Sequence, residues 1–350
     1  MNIHSIMDKA IESKASDIHL VCNRKPSLRI DGEIREIESL NVLDEGWLFN
    51  QVKVICNESQ LEILQKDRQL DFSVKHGEDR FRVHIFYQKQ VPTIVMRLIN
   101  SKIPNLVDLH LPTSINKVLN IHDGMIIVTG VTGSGKSTTL ASIIDYINST
   151  ESKNIITIED PIEYVHKHKK SIISQREVGQ DVGSFSEAIR SAMRSDPDIL
   201  LVGEMRDLDT IQNALIMAET GHLVFGTLHT KGCPETVDRM ISVFESNQQQ
   251  IRVQVANSLR VVINQRLVPK VGGGRVPIVE IMFVNDAIRA LIKEGSNINA
   301  IKDEMMMSSK VTGSQTIYQS VVDLLKRGLI TQETALKNVD DVNMLKNFLR

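Results

Sequence analysis

Four short apolar runs, at 125–129, 155–158, 199–202 and 223–227, recur along the middle of the chain with patterned segments between them. The intervening stretches 137–148, 184–194 and 207–219 place apolar residues three and four apart, the spacing of one helix face. Continuous apolar strands alternating with helices predict an α/β fold, with a largely parallel sheet covered on both faces. In such a sheet, ligands gather at the carboxyl ends of the strands.

The first hundred or so residues follow a different pattern. Ile3, Met7 and Ile11 lie four apart and predict a helix over 3–15, followed by a strand from Asp17. Asp31-Gly32 between 28–30 and 34–37 reads as a hairpin turn. A helical segment is expected near 56–66. Alternating strands follow at 70–74, 80–87 and 91–98, with His76-Gly77-Glu78-Asp79 as a turn. Together these predict a small mixed α/β module. Residues 101–112, with Pro104 and Pro112, form the expected junction.

Beyond 233 the spacing turns helical, over 235–243 and 249–263. Gly272-Gly273-Gly274 reads as a hairpin-like turn between 265–268 and 275–282, and three or four short helices are expected from about 285. Met305–Met307 suits core packing or a mobile contact surface better than a metal-ligand set. The expected partition is 1–103, 104–285 and 286–350.

Composition narrows the class. Among 350 residues, 41% are hydrophobic and the net charge is −2, so bulk attraction to nucleic acid is not expected. The short basic run His166–Lys170 lacks interleaved aromatics and reads as a solvated loop. Cys22, Cys56 and Cys233 form no Cys-x-x-Cys pair; they suit a reducing compartment and small buried or half-buried packing roles. The N-terminus does not read as a secretory signal, and no stretch is apolar for long enough to span a bilayer. Any membrane association is expected to run through a partner.

Candidate chemistry centres on Gly130-Val-Thr132-Gly133-Ser134-Gly135-Lys136-Ser137, directly after an apolar run. This is a phosphate-binding loop in its required setting. Glycines let backbone N–H groups wrap the phosphates, Lys136 can reach the β and γ phosphates, and Ser137 can ligate Mg²⁺. Thr138 continues into a helix whose positive end faces the anion. ATP and Mg²⁺ are the cofactors expected.

Hydrolysis also needs carboxylates. The strand 199–202 runs into Gly203-Glu204, and Glu204 is the leading candidate to hold the Mg²⁺ water shell or polarise the attacking water. Glu163 is its rival as general base, and Glu159 could orient. A solvated turn or a cap is the competing reading for Glu159 and Asp160. His222 and His229 bracket the strand 223–227, seven residues apart, which excludes a helical zinc pair. His229, at the carboxyl end, suits a γ-phosphate sensor. His222 could join a network with Glu204 or with Asp-rich neighbours, and a structural hydrogen-bonding role is open for both histidines. Arg80 and Arg82 share a strand face, with Arg97 beyond. They read either as a solvated face or as guanidinium forks for a phosphate held mainly by another domain.

At this point the chain resembles the type II/type IV secretion ATPases, and within them the type IV pilus retraction ATPases. The resemblance rests on GVTGSGKSTT at 130–139, ITIEDPIEYVH at 156–166, the run 185–211 ending its strand at Glu204, and AETGHLVFGTLHT at 218–230. RFRV at 80–83, ASDIHL at 15–20 and AIRALIKEG at 287–295 extend it over nearly the whole chain. It implies an N-terminal PAS-like mixed α/β domain, a RecA-like P-loop ATPase core and C-terminal helices. It places catalytic roles on Glu163, His222 and His229, supporting roles on Glu159 and Asp160, and interface roles on Arg80, Arg82 and Arg97. It further implies a homohexamer at the cytoplasmic face of the inner membrane, acting on a membrane platform protein. A motor of a conjugation-like or specialised secretion system is the alternative. Val131 stands where many members have proline, and Lys89-Gln90-Val-Pro92 replaces a glycine-rich turn that carries an arginine.

Overall fold

The computed structural model describes residues 2–77, 79–99, 102–339 and 341–349; Glu78 of the expected turn and Ser101 of the expected junction lie outside them. The chain forms two compact units. One comprises Met1–Lys102 together with Pro161–Val165, the other Ile103–Asp160 and His166–Arg350.

The first unit runs α1 (Ile3–Glu12), β1 (Asp17–Leu20), β2 (Ser27–Ile30), β3 (Glu33–Glu36), α2 (Glu45–Ile55), α3 (Glu58–Asp67), β4 (Gln69–His76), β5 (Asp79–Gln88) and β6 (Val91–Ile99). Its sheet is ordered β3-β2-β1-β6-β5-β4, and every pairing is antiparallel. The Asn2 side chain accepts from Ser5 N and starts α1, which buries Ile3, Ile6, Met7 and Ala10. Helix α2 was not expected from the sequence. Its period is blurred because Phe49 and Val54 are exposed while Gln51 is buried. Phe81, Val83 and Ile85 of β5 point into the core, whereas Arg80 is half-buried and Arg82 exposed.

The second unit runs α4 (Ile115–Val118), β7 (Gly124–Thr129), α5 (Lys136–Thr150), β8 (Asn154–Glu159), β9 (Ile172–Glu177), α6 (Phe185–Ala192), β10 (Ile199–Val202), α7 (Leu208–Glu219), β11 (Leu223–Leu228), α8 (Cys233–Ser242), α9 (Gln248–Ser258), β12 (Leu259–Pro269) and β13 (Arg275–Phe283). Helices α10 (Asp286–Glu294), α11 (Ile298–Thr312), α12 (Ile317–Lys326), α13 (Gln332–Lys337) and α14 (Val342–Leu349) complete it. The sheet order is β13-β12-β7-β11-β10-β8-β9. All pairings are parallel except β12–β13. One core packs α6–α11 on one face of this sheet, and a second packs α4 and α5 on the other. Strands β7, β10 and β11 are buried at every position, as strands covered on both faces must be.

Three expectations need correction. The helix expected over 249–263 stops at Ser258, and Leu259 opens β12. The β-branched run Val261-Val-Ile263 fits both patterns locally; parallel pairing with Ile126–Val128 selects the strand. Strand β9 was missed, because its alternation is interrupted by Gln175 and Arg176. The C-terminal region holds five described helices rather than three or four. Within the methionine run, Met305 is core and Met307 is 81% exposed, so both readings of that run apply.

Candidate active site

The phosphate loop joins β7 to α5 and is pressed against β12. Gly130 has φ +142°, and a Cβ there would stand 2.2 Å from the Gln265 carbonyl oxygen. Gly135 has φ +91°, and its Cβ would meet Gln265 Nε2 at 2.7 Å. A side chain at Gly130 would have to move the β12 backbone, and one at Gly135 would have to displace the Gln265 amide. Thr132 and Gly133 are exposed at the tip, while Ser137 and Thr138 lie partly buried in the first turn of α5. Gly135 caps α5 with no side-chain hydrogen bond, so the helix's leading N–H groups are presented to an anion. Ser134 Oγ is buried and without a hydrogen-bond partner among the described residues, which suits a phosphate oxygen as its acceptor. Lys136 Nζ donates to the Gly130 and Val131 carbonyls, at 2.9 and 3.2 Å. Its ammonium thus lies over the loop it serves.

Glu204 follows β10 by two residues. Arg206 Nε meets its Oε1 at 2.5 Å and Arg206 Nη2 its Oε2 at 2.6 Å, a two-pronged pair. His229 Nε2 stands 3.3 Å from Glu204 Oε1. Burial pushes the Glu204 carboxyl up, but Arg206, aided by His229 and Lys136, holds it below the usual carboxylate value. Burial and the Lys136 charge push His229 down against the pull of Glu204. Lys136, Glu204 and His229 therefore form one electrostatic group at the carboxyl ends of β7, β10 and β11.

Not every expected residue joins it. His222 precedes β11, and its Nδ1 donates to the Met217 carbonyl at 3.0 Å while its own carbonyl accepts from Gly124 N. It thus lies at the opposite edge of the sheet from Glu204, about 20 Å away along a six-residue strand. A His222–Glu204 network is not formed within the unit, because the strand that separates the two histidines is fully extended. Glu159 ends β8 and accepts from Thr157 Oγ1 at 2.7 Å and Gln175 Nε2 at 3.1 Å. Glu163 is exposed and lies in Pro161–Val165, the segment that groups with the first unit.

In the first unit, strand register places Arg29, Asp17, Arg97, Arg82 and Ser73 in one row across β2, β1, β6, β5 and β4. Arg97 Nε donates to the buried Asp17 carboxylate at 2.9 Å, and Arg80 donates to Ser73 Oγ. Burial pushes Asp17 up, but the Ser16 hydroxyl and Arg97 hold it below its ordinary value.

The sequence reading missed Gln265. It is 3% exposed, and its amide is hydrogen-bonded to both the phosphate loop and α5. The adjacent amides Asn264 and Gln265 inside a largely apolar strand were the available signal.

Comparison with known proteins agrees with this architecture. The family model for type II/IV secretion system proteins matches residues 1–273. The type IV pilus retractation ATPase PilT of Pseudomonas aeruginosa is 43% identical over 96% of this chain and 97% of its own length. A twitching motility protein of Neisseria gonorrhoeae is 43% identical over 90% of this chain and 84% of its own. A crystal structure of the pilus retraction motor PilT with bound ADP superposes with a TM-score of 0.91, at 44% identity and 99% coverage of both chains. The chain belongs to the type II/IV secretion system protein family, and within it to the pilus-retraction ATPases.

Proposed function

We propose that this chain works as a homohexameric ring whose ATP hydrolysis powers type IV pilus retraction and disassembly. The observation that carries the reading is the grouping of Lys136, Glu204 and His229 at the sheet's carboxyl edge. Gly130, Thr132, Gly133, Ser134, Gly135, Lys136, Ser137 and Thr138 hold the triphosphate. Lys136 exchanges the loop carbonyls for β- and γ-phosphate oxygens. Glu204 stays ionised and orients or deprotonates the attacking water; Glu163 is the second candidate base, with Glu159 orienting. His229, kept neutral by its surroundings, donates toward the γ-phosphate.

The Ser137 hydroxyl and the ionised Glu204 carboxylate are hard oxygen donors, a set that suits Mg²⁺ held largely through water and phosphate. When bound, Mg²⁺ neutralises charge on the transferring phosphoryl group. Arg80, Arg82 and Arg97 complete the site of the neighbouring subunit. Arg97 is suited to this, since its Nε is held by Asp17 while its side chain is 69% exposed. Arg206 takes one lone pair on each Glu204 oxygen and leaves the others for water. The work passes to a platform protein of the inner membrane, with the ring on the cytoplasmic side. Among the described residues no helix is long and apolar enough to cross a membrane.

Mixing Arg97→Ala with Lys136→Ala tests shared sites. Partial recovery of ATP hydrolysis on mixing is expected, and no change at any ratio would overturn the trans arrangement. A deletion strain should carry many surface filaments and not move. Normal motility with a lost secretion phenotype would favour the conjugation-like or specialised secretion motor instead.

A further inference from the structure

Gln265 sits where the phosphate loop meets the first turn of α5, and it touches both from behind. In β12, Asn264 pairs with Thr129 of β7, so Gln265 stands beside Gly130, the first residue of the phosphate loop. Strand alternation sends consecutive side chains to opposite faces. Asn264 reaches the Thr230 carbonyl, in the segment that follows His229, at 3.1 Å. Gln265 turns toward α5, where Val261 and Ile263 of the same strand also pack.

Its amide is fully used there. Nε2 donates to the Ser134 carbonyl at 2.8 Å, and Oε1 accepts from Thr139 Oγ1 at 2.8 Å. A carbonyl can only accept, so the orientation of the amide is set by Ser134. Ser134 is 1% exposed and Thr139 1% exposed, so neither bond competes with solvent. One side chain therefore spans the end of the loop and the first turn of its helix.

The consequence lies in the peptide plane. In a trans peptide the C=O of one residue and the N–H of the next point in opposite directions. Drawing the Ser134 carbonyl toward β12 turns the Gly135 N–H away from it. At φ +91°, Gly135 is free of side-chain restraint on that rotation. Without the Gln265 bond, the plane keeps a glycine on only one side, and rotation about Gly135 φ with Ser134 ψ can flip it and present a carbonyl to the anion.

We propose that Gln265 is a positioning residue for nucleotide binding: it holds the Ser134–Gly135 peptide plane so that the Gly135 N–H faces the phosphates. Gln265 itself touches no phosphate, and its action passes through the loop. The proposal rests on the ATPase reading above only in taking the loop as the phosphate site.

Three substitutions in the full-length chain separate the bonds. Gln265→Met keeps the volume and removes both. Gln265→Glu keeps the acceptor for Thr139 and removes the donor to Ser134. Thr139→Val removes only the Thr139 bond. ADP affinity is read by calorimetry well below each variant's melting temperature, beside the unsubstituted chain and Lys136→Ala. Gln265→Met and Gln265→Glu should each weaken ADP about tenfold or more, and Thr139→Val about threefold. A structural role alone would lower melting temperatures while leaving these affinities unchanged, and ADP affinities of both Gln265 variants within twofold of the parent would overturn the proposal. Should both Gln265 variants fail to fold, Gln265→Asn, whose shorter amide is drawn off the Ser134 carbonyl, takes their place: about tenfold weaker ADP supports the proposal and affinity within about twofold overturns it. Failure of the unsubstituted chain to bind ADP would sink the phosphate-site reading, and this proposal with it.

Discussion

The two sheets handle charge in opposite ways. In the second unit, β7, β10 and β11 are buried throughout, so polar chemistry is confined to their ends. Lys136, Glu204 and His229 all lie past a carboxyl terminus. In the first unit every strand pairing is antiparallel, and strand faces carry the charge instead. Arg29, Asp17, Arg97 and Arg82 stand side by side in one row, perpendicular to the strands. A parallel sheet with two covers concentrates function at an edge, where strand ends and helix N-termini coincide. A sheet with a polar face can spread function across register-matched positions. The first arrangement gathers its polar groups at one edge; the second lays them out as a row across one face.

The sharpest break of this contrast is at the edge. Lys136→Ala should lower ATP hydrolysis about 10³-fold, measured as phosphate release. Glu204→Gln should lower turnover about 10²-fold or more while ATP binding stays measurable. Normal turnover in that variant would remove Glu204 from the reaction. The two ends of β11 give a finer comparison. His229→Gln should cost about tenfold or more in hydrolysis. His222→Gln should stay within about twofold, the scale of ~0.5 kcal/mol, because its partners are Met217 and Thr220 at the far edge. Equal losses from both histidines would show that the far edge takes part through a neighbouring subunit.

A last expected effect lies outside the site and concerns stability against pH. Burial pushes His166 down to about 4, with Asp145 pulling up and Lys169 pushing further down. Its Nδ1 is buried, with no hydrogen-bond partner among the described residues. The unfolded chain takes up this proton below its ordinary pKa of about 6.5, and the folded chain does so only near the lower value. Folding stability therefore falls as pH drops from about 6.5 toward 4, by at most roughly 3 kcal/mol from this one group. His166→Gln should flatten that part of the melting-temperature profile; a profile unchanged by the substitution would remove His166 as its cause.

How much of this was legible depended on the kind of signal. The phosphate loop, the four apolar strands and the carboxylate after β10 are local patterns, and each stands where its spacing predicts. The β12 strand was half hidden, because Val261-Val-Ile263 satisfies helix and strand periodicity alike until a partner strand is known. Helix α2 was hidden by its own exposed Phe49 and Val54. Gln265 gave almost no signal, since a single amide acquires meaning only from the carbonyl and hydroxyl brought to it from 131 and 126 residues away. His222 misled in another way: it was offered to a network with Glu204, and the extended strand β11 holds it at the far end from that carboxylate.

Residue order alone determined the class of fold and the phosphate-binding loop, because helix period, strand burial and loop glycines are short-range properties of consecutive side chains. Tertiary structure decided which groups share an electrostatic field. Lys136, Glu204 and His229 come from three separate strand ends, and Arg97 meets Asp17 across 80 residues. Coulomb interaction and hydrogen bonding depend on distance in space, which the chain acquires only when its strands are ordered side by side.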